Sequence, residues 1–153
     1  MYQRLTAGEI CTRIVTIAFR GTRLAEAARL MREQEVGCLL VVEEADPGRV
    51  VVGVLTDRDI VTSVVAKDLD ARVMTVAEAM TADPAVAREQ DSALDVLETM
   101  RRKGVRRMPV TTPEGVLVGI VTLDDLFEVL AEEMQALAGV VASGRRRVHT
   151  ATA

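Results

Sequence analysis

Aromatic residues are nearly missing from this chain: 153 residues contain no tryptophan, one tyrosine and two phenylalanines. Any core must therefore be built from Val, Leu, Ile, Ala and Met. Histidine is as scarce, with His149 near the terminus as the single example. The two cysteines, Cys11 and Cys38, form no Cys-x-x-Cys, so neither a zinc constellation nor a disulfide framework is present, and both thiols are expected to be reduced and buried. No nucleophile or acid–base pair stands out; the adjacent acids Glu43/Glu44 and Glu132/Glu133 read as solvated faces, and no enzyme activity is expected. No apolar run approaches the roughly 18 residues of a membrane span. The first nine residues lack a basic segment followed by an apolar one, so no secretory leader is expected and the chain is placed in the cytoplasm. A net charge of −4 argues against a nucleic-acid partner bound through overall basicity. Local basic patches, Arg101-Arg102-Lys103 and Arg106-Arg107, survive that argument.

What is present is a duplication. At an offset of 69 residues Thr6-Ala7-Gly8-Glu9 aligns with Thr75-Val76-Ala77-Glu78, Met31-Arg32 with Met100-Arg101, Val36 with Val105 and Val41 with Val110. Farther on, Gly53-Val54-Leu55-Thr56-Asp57-Arg58-Asp59 aligns with Gly119-Ile120-Val121-Thr122-Leu123-Asp124-Asp125, now at an offset of 66. The three extra residues of the first copy fall around Asp46-Pro47-Gly48, which has the composition of a turn. Each Gly-x-x-Thr-x-x-Asp reads as a strand running into a helix, with the threonine as N-cap and the acid three positions later completing a box-like cap. By themselves Thr56/Asp59 and Thr122/Asp125 are helix caps; their repetition at matching positions of a duplication asks for more.

Periodicity fills in the rest. A capped helix opens each copy at Thr6 and Thr75. Residues 13–18 and 83–87 read as β segments. Helices follow over 23–35, closed by Gly37, and over 92–103, closed by Gly104. Residues 38–42 and 49–55 form a hairpin, as do 105–110 and 116–121. The helix from Thr56 extends to about Ala66, and the last helix, after Thr122, to about Leu137. Its apolar residues Leu126, Val129, Leu130, Met134 and Leu137 form a stripe suited to the core or to another subunit. The expected division is 5–66 and 74–135 for the two units, 67–73 for a linker and 136–153 for a mobile tail. The fold class is α+β, with two β-α-β-β-α units packed about a pseudo-two-fold axis.

The element order, the paired Gly-x-x-Thr-x-x-Asp and the apolar-Pro-Val of Met108-Pro109-Val110 resemble a tandem pair of CBS domains, a Bateman module. Similarity is greatest to stand-alone bacterial CBS-pair proteins, in which Leu-Thr-Asp-Arg-Asp-Ile-Val is a common form of the first motif. The resemblance spans residues 5–135, leaving no room for a separate catalytic or transport domain. It implies a homodimeric regulatory protein that needs no cofactor. Such a protein binds AMP, ADP, ATP or another adenosyl compound between its repeats and transmits occupancy to a regulated partner. It also implies Asp59 and Asp125 as ribose binders, Thr56 and Thr122 as phosphate or ribose contacts, and Arg106, Arg107 and Pro109 at the nucleotide. Segments 14–17 and 83–86 would line the adenine. The first copy has Gly37, Cys38 and Leu40 where the second has Arg106, Arg107 and Pro109, so the two clefts are expected to be unequal. The competing reading is a ligand-free dimerisation or interaction scaffold in which both motifs serve only as caps.

Overall fold

The computed structural model describes residues 5–150, with side chains to Arg145. In chain order the elements are α1 (Ala7–Ile10), β1 (Ile17–Phe19), α2 (Leu24–Glu33), β2 (Cys38–Glu44), β3 (Arg49–Thr56), α3 (Asp57–Ser63), a 3-10 turn (Val65–Lys67), α4 (Val76–Ala79), β4 (Thr81–Ala82), β5 (Ala87–Arg88), α5 (Ala93–Lys103), β6 (Arg107–Thr111), β7 (Leu117–Thr122) and α6 (Leu123–Thr150). They form two sheets, ordered β1-β2-β3-β4 and β5-β6-β7. In each, a parallel pair (β1/β2, β5/β6) joins an antiparallel hairpin (β2/β3, β6/β7), with a register shift after Val41 in one and after Val110 in the other. The two bulges are equivalent positions of the duplication.

The amphipathic spacing explains the layers. Leu24, Ala27 and Met31 of α2 pack with Ala18, Leu39, Val41 and Leu55 in one core; Val96 and Met100 of α5 pack with Ala87, Met108, Val110 and Val121 in the other. A fully buried aliphatic side chain contributes about 1.5–3 kcal/mol relative to an exposed one, so these aliphatic faces replace the missing aromatics. The two sheets meet at their hairpin ends through an isolated bridge between Val50 and Val116.

The leading helices are exchanged. Val76 of α4 is buried in the first core and Ala7 of α1 in the second, so each opens one copy of the sequence and packs on the other. Three backbone hydrogen bonds repeat this exchange. The amides of Val76, Ala77 and Leu24 donate to the carbonyls of Thr22, Arg20 and Met74, and those of Ala7, Gly8 and Ala93 to Asp91, Glu89 and Leu5, at 2.8–3.1 Å. After α4 the chain forms β4, which pairs with β3 at Gly53 and Val54. After α1, Thr12 exchanges two 2.9 Å hydrogen bonds with Ile120 of β7. The duplication divides the sequence in two, but the cores follow the exchange.

The exchange accounts for the two motif glycines. A Cβ on Gly53 would stand 2.5 Å from Met80 Sδ and 3.1 Å from the Thr81 carbonyl oxygen. A Cβ on Gly119 would collide with the Thr12 carbonyl oxygen and lie 2.9 Å from Cys11 Sγ. In each repeat the segment crossing from the other copy runs directly over the glycine.

Several local expectations are corrected. The β structure expected over 13–18 is confined to Ile17–Phe19, and Ile14 is 93% exposed. Of the segment expected as β over 83–87 only Ala87 is strand, opening β5 on the second sheet; 83–86 are irregular and link it to β4 on the first. Gly37 does not close α2: the helix ends at Glu33, Glu35 takes the left-handed conformation at φ 53°, and Gly37 lies against the Asp57 carboxylate instead. Gly104 does close α5, at φ 66°. α3 stops at Ser63 and a 3-10 turn continues the chain. From 136 to 150 the chain is helix where a tail was expected, and 151–153 lie outside the described residues.

One residue explains why the second parallel pair is shorter. In the first copy the Leu40 amide donates to Thr16 O at 3.2 Å, and β1 runs three residues. Its counterpart Pro109 has no N–H, and β5 meets β6 only at Val110 and Thr111.

Gly119→Ala is expected to destabilise the protein by about 2–3 kcal/mol, because a hydrogen-bonded backbone carbonyl must move. Gly53→Ala should cost less, about 1 kcal/mol, because the flexible Met80 thioether takes most of the overlap. Urea unfolding of the two variants checks the order; equal or reversed losses contradict the crossing geometry.

Candidate functional site

Thr56 is the last residue of β3 and the N-cap of α3, and Thr122 ends β7 where α6 begins. Both sit in extended-to-helical junctions because the motif glycine fixes the strand beneath the crossing segment. At the first junction Asp59 N–H donates to Thr56 Oγ1 at 3.2 Å and Thr56 N–H donates to Asp59 Oδ2 at 2.8 Å. At the second, Asp125 N–H donates to Thr122 Oγ1 at 3.3 Å, while Thr122 N–H and Oγ1–H donate to Asp125 Oδ2 at 2.6 and 2.9 Å. These are capping boxes with Asp at N3. Each uses Oδ2, leaving Oδ1 with no hydrogen bond among the described residues, so the cap does not exhaust the carboxylate.

The strand neighbours bring in the rest. Cys38 pairs with Thr56 across β2/β3, and Arg107 pairs with Thr122 across β6/β7, so Cys38 and Arg107 are equivalent positions. The Arg107 side chain nevertheless reaches the other repeat. Its guanidinium comes near enough to lower the pKa of the Cys38 thiol, a group that also feels the charges of Asp59 and Asp57. Burial is the main influence on Cys38 and pushes its thiol above the ordinary value, with Arg107 opposing. At the second junction Cys11 is likewise raised by burial, opposed by Arg13, with Asp125 and Glu89 nearby. Each junction thus gathers an acid, a thiol and an arginine.

Of the sequence candidates, Thr56, Asp59 and Arg107 share the first junction, with Arg107 arriving from the opposite repeat. Thr122 and Asp125 form the second. Arg106 is exposed and its carbonyl accepts from Leu123 N–H at 2.8 Å, tying it to the second junction through its backbone. Pro109 is buried inside β6, paired with Ile120. Of the segments assigned to adenine, Ile14 is almost wholly exposed and Val86 is 36% exposed. Sequence reasoning missed Arg13, Asp57 and the junction role of Cys38. The signal available for Cys38 was its pairing with Arg107 in the duplication; nothing local marked the other two.

Three cavities are found, the second of which reaches Arg13 and Glu89 of the second junction. A groove of about 610 Å³ runs between α6 and the start of α5, lined by Leu94, Val129, Leu137 and Val140 among others. A second, about 580 Å³, is an open hollow beside Thr6, Arg13 and Gln90. A third, about 270 Å³, is lined by Val51, Val86, Arg88, Glu114 and Thr111, whose buried hydroxyl has no hydrogen-bond partner. Among the described residues no group of three or more His, Cys, Asp or Glu side chains is placed to hold a metal, and no helix is long and apolar enough to cross a membrane.

Both thiols should be protonated at neutral pH. Because burial raises each above the ordinary 9.0, alkylation by iodoacetamide at pH 7 is expected to be slower than for a free cysteine peptide, with a rate still climbing through pH 9. A rate that levels off below pH 8 would show a thiolate-stabilising environment and contradict this.

Comparison with known proteins agrees with the geometry. The sequence matches the CBS domain family over residues 7–66 and again over 76–132. It is 35% identical over 115 residues to the CBS domain-containing protein YhcV of Bacillus subtilis, covering 75% of this chain and 77% of that protein. It is 35% identical over 127 residues to Hypoxic response protein 1 of Mycobacterium tuberculosis, covering 83% and 86%. The solved structure of Hypoxic Response Protein I, described with two coordinated zinc ions, superposes with a TM-score of 0.70 at 34% identity over 80% of this chain and 97% of that one. The cytosolic domain of the Mg2+ channel MgtE, solved in complex with ATP, superposes with a TM-score of 0.70 at 28% identity over 84% of this chain and 50% of that one. With the motif doubled, the two sheets equivalent and both copies matched, the chain belongs to the CBS domain family as a tandem pair.

Proposed function

We propose that this CBS pair is a regulatory sensor that binds an adenine nucleotide (AMP, ADP or ATP) between its repeats, acts as a homodimer and signals occupancy to another protein. The observation that carries this reading is the position of Arg107. A guanidinium rooted in the second repeat comes near Cys38 of the first, a thiol that also feels the charges of Asp59 and Asp57, where a ligand would touch both halves at once. Arginine suits a phosphate because its planar fork donates two parallel hydrogen bonds. Asp59 Oδ1 is free to accept from a ribose hydroxyl, the role that an acidic residue has in other nucleotide folds. Thr56, already the cap, adds a hydroxyl at the same place.

The second cleft is built from Thr122 and Asp125, with Arg106 tied in through its backbone and Pro109 shaping β6 behind it. Arg13 supplies a positive charge near Cys11 there. We assign it the weaker anion affinity, because its equivalent of the Arg107 position is Cys38. Solved relatives support the ligand class: the MgtE cytosolic domain was crystallised with ATP. The scaffold reading has one observation on its side, since each motif acid already completes a helix cap. In that case both acids are caps alone.

Regulation requires that the nucleotide bind two conformations with different affinity. The exchanged segments supply a mechanical route, because anything that shifts the first junction pulls on β4 and α4, which belong to the second copy.

Calorimetric titration of nucleotide-stripped protein separates the readings. Saturable heat with AMP, ADP or ATP is expected, lost for the tighter event in Asp59→Asn. Arg107→Ala should weaken phosphorylated ligands at least tenfold and leave adenosine unaffected. At 100 times the dissociation constant the ligand should stabilise the fold by about 2.7 kcal/mol. No heat and no stabilisation with any adenosyl ligand, in folded protein, would leave the scaffold reading.

A further inference from the structure

α6 outruns the body it belongs to. Val129 is still partly covered, but every described residue from 131 to 145 is exposed on all sides of the helix. Little in the chain itself holds this stretch helical. It includes Gly139 and Gly144, each about 1 kcal/mol worse than alanine inside a helix, and the β-branched Val140 and Val141. No ion pair involves α6 among the described residues. A free helix of such length is marginal in water.

Its apolar residues are not scattered. Phe127, Leu130, Met134, Leu137 and Val141 recur at alternating spacings of three and four, and each is 53–61% exposed. That is the a/d seam of a coiled coil, wanting a second helix along its length. Charge chooses the orientation. Glu128, Glu132 and Glu133 lie at the body end, and the run of arginines that begins at Arg145 lies at the far end. A parallel neighbour of the same sequence would set acid beside acid and base beside base; an antiparallel one sets each against its opposite.

We propose that the protruding half of α6 pairs antiparallel with the same segment of a second copy of this chain. The helices cross near Gly139, so that Leu137 of each copy lies opposite Val141 of the other and Met134 opposite Gly144. This rests on the dimeric part of the reading above and adds the surface and the direction. The seam continues onto the body at Leu130 and Phe127, so the pairing would fix how the two nucleotide-binding bodies face each other.

Sedimentation equilibrium of the full chain tests it. The wild type is expected to be a dimer, and Leu137→Glu/Val141→Glu should raise the dimer dissociation constant at least tenfold. Because both positions lie outside the two cores, circular dichroism and thermal midpoint of the body should be unchanged. Glu132→Arg/Glu133→Arg should weaken the dimer, and adding Arg145→Glu should recover part of the loss. A nitroxide at Ala131 fixes the direction: antiparallel helices crossing at 139 separate the two labels by about 24 Å along the axis, whereas parallel helices leave them about 10 Å apart. A monomeric wild type would overturn the dimer reading and this inference together. A dimer indifferent to the glutamate substitutions, or labels about 10 Å apart, would overturn this inference alone.

Discussion

Two strand glycines, each lying under a segment sent across from the other half of the chain, set the terms for the rest of the structure. Gly53 admits Met80 and Thr81; Gly119 admits Cys11 and Thr12. Because the crossing segments come from opposite copies, neither core closes without the other's leading helix. The motif threonine follows the glycine by three residues and the aspartate by six, so the same close approach that locks the halves together also places the two helix caps. Packing and candidate chemistry are consequences of one constraint, which is why the motif recurs as a unit and not as separate pieces.

Within that symmetric frame a few substitutions make the two halves different. Pro109 in place of Leu40 removes an amide and shortens the second parallel pair, releasing the 83–86 segment that leads to it. Arg107, the counterpart of Cys38, carries a cation across to the first repeat, near Cys38 itself. Duplicated folds acquire asymmetric sites in this way: the backbone repeats, while side chains at equivalent positions meet near the axis and need not match.

How far the sequence revealed this depends on the range of each interaction. Capping boxes at Thr6, Thr56, Thr75 and Thr122 were legible because threonine and an acid three residues on is a local pattern, and the structure forms all of them. The hairpins and amphipathic helices were legible from period alone. The exchange of α1 and α4 was not, since an apolar face records that it is buried and not against what. Gly37 misled because glycine after a helix usually ends it; Glu35 takes the left-handed position, and the glycine makes room for Asp57. The candidate site divides in the same way. Thr56, Asp59, Thr122 and Asp125 stood out by repetition, whereas Arg13 and Asp57 gain their places only through tertiary approach. The length of α6 was underestimated because the apolar stripe identified in the sequence ends at Leu137, while the helix runs on to Thr150.

The central claim is that an adenine nucleotide sits between the repeats at the junction Arg107 shares with Asp59. Amide chemical-shift mapping of the uniformly labelled wild-type protein titrated with ATP tests it most directly. The account predicts saturable shifts at the amides of Thr56 to Ile60 and of Arg107, residues far apart in sequence and on opposite repeats, with the amides of 138–145 unmoved by direct contact. Shifts confined to one repeat, or none at these amides at millimolar nucleotide, would contradict it.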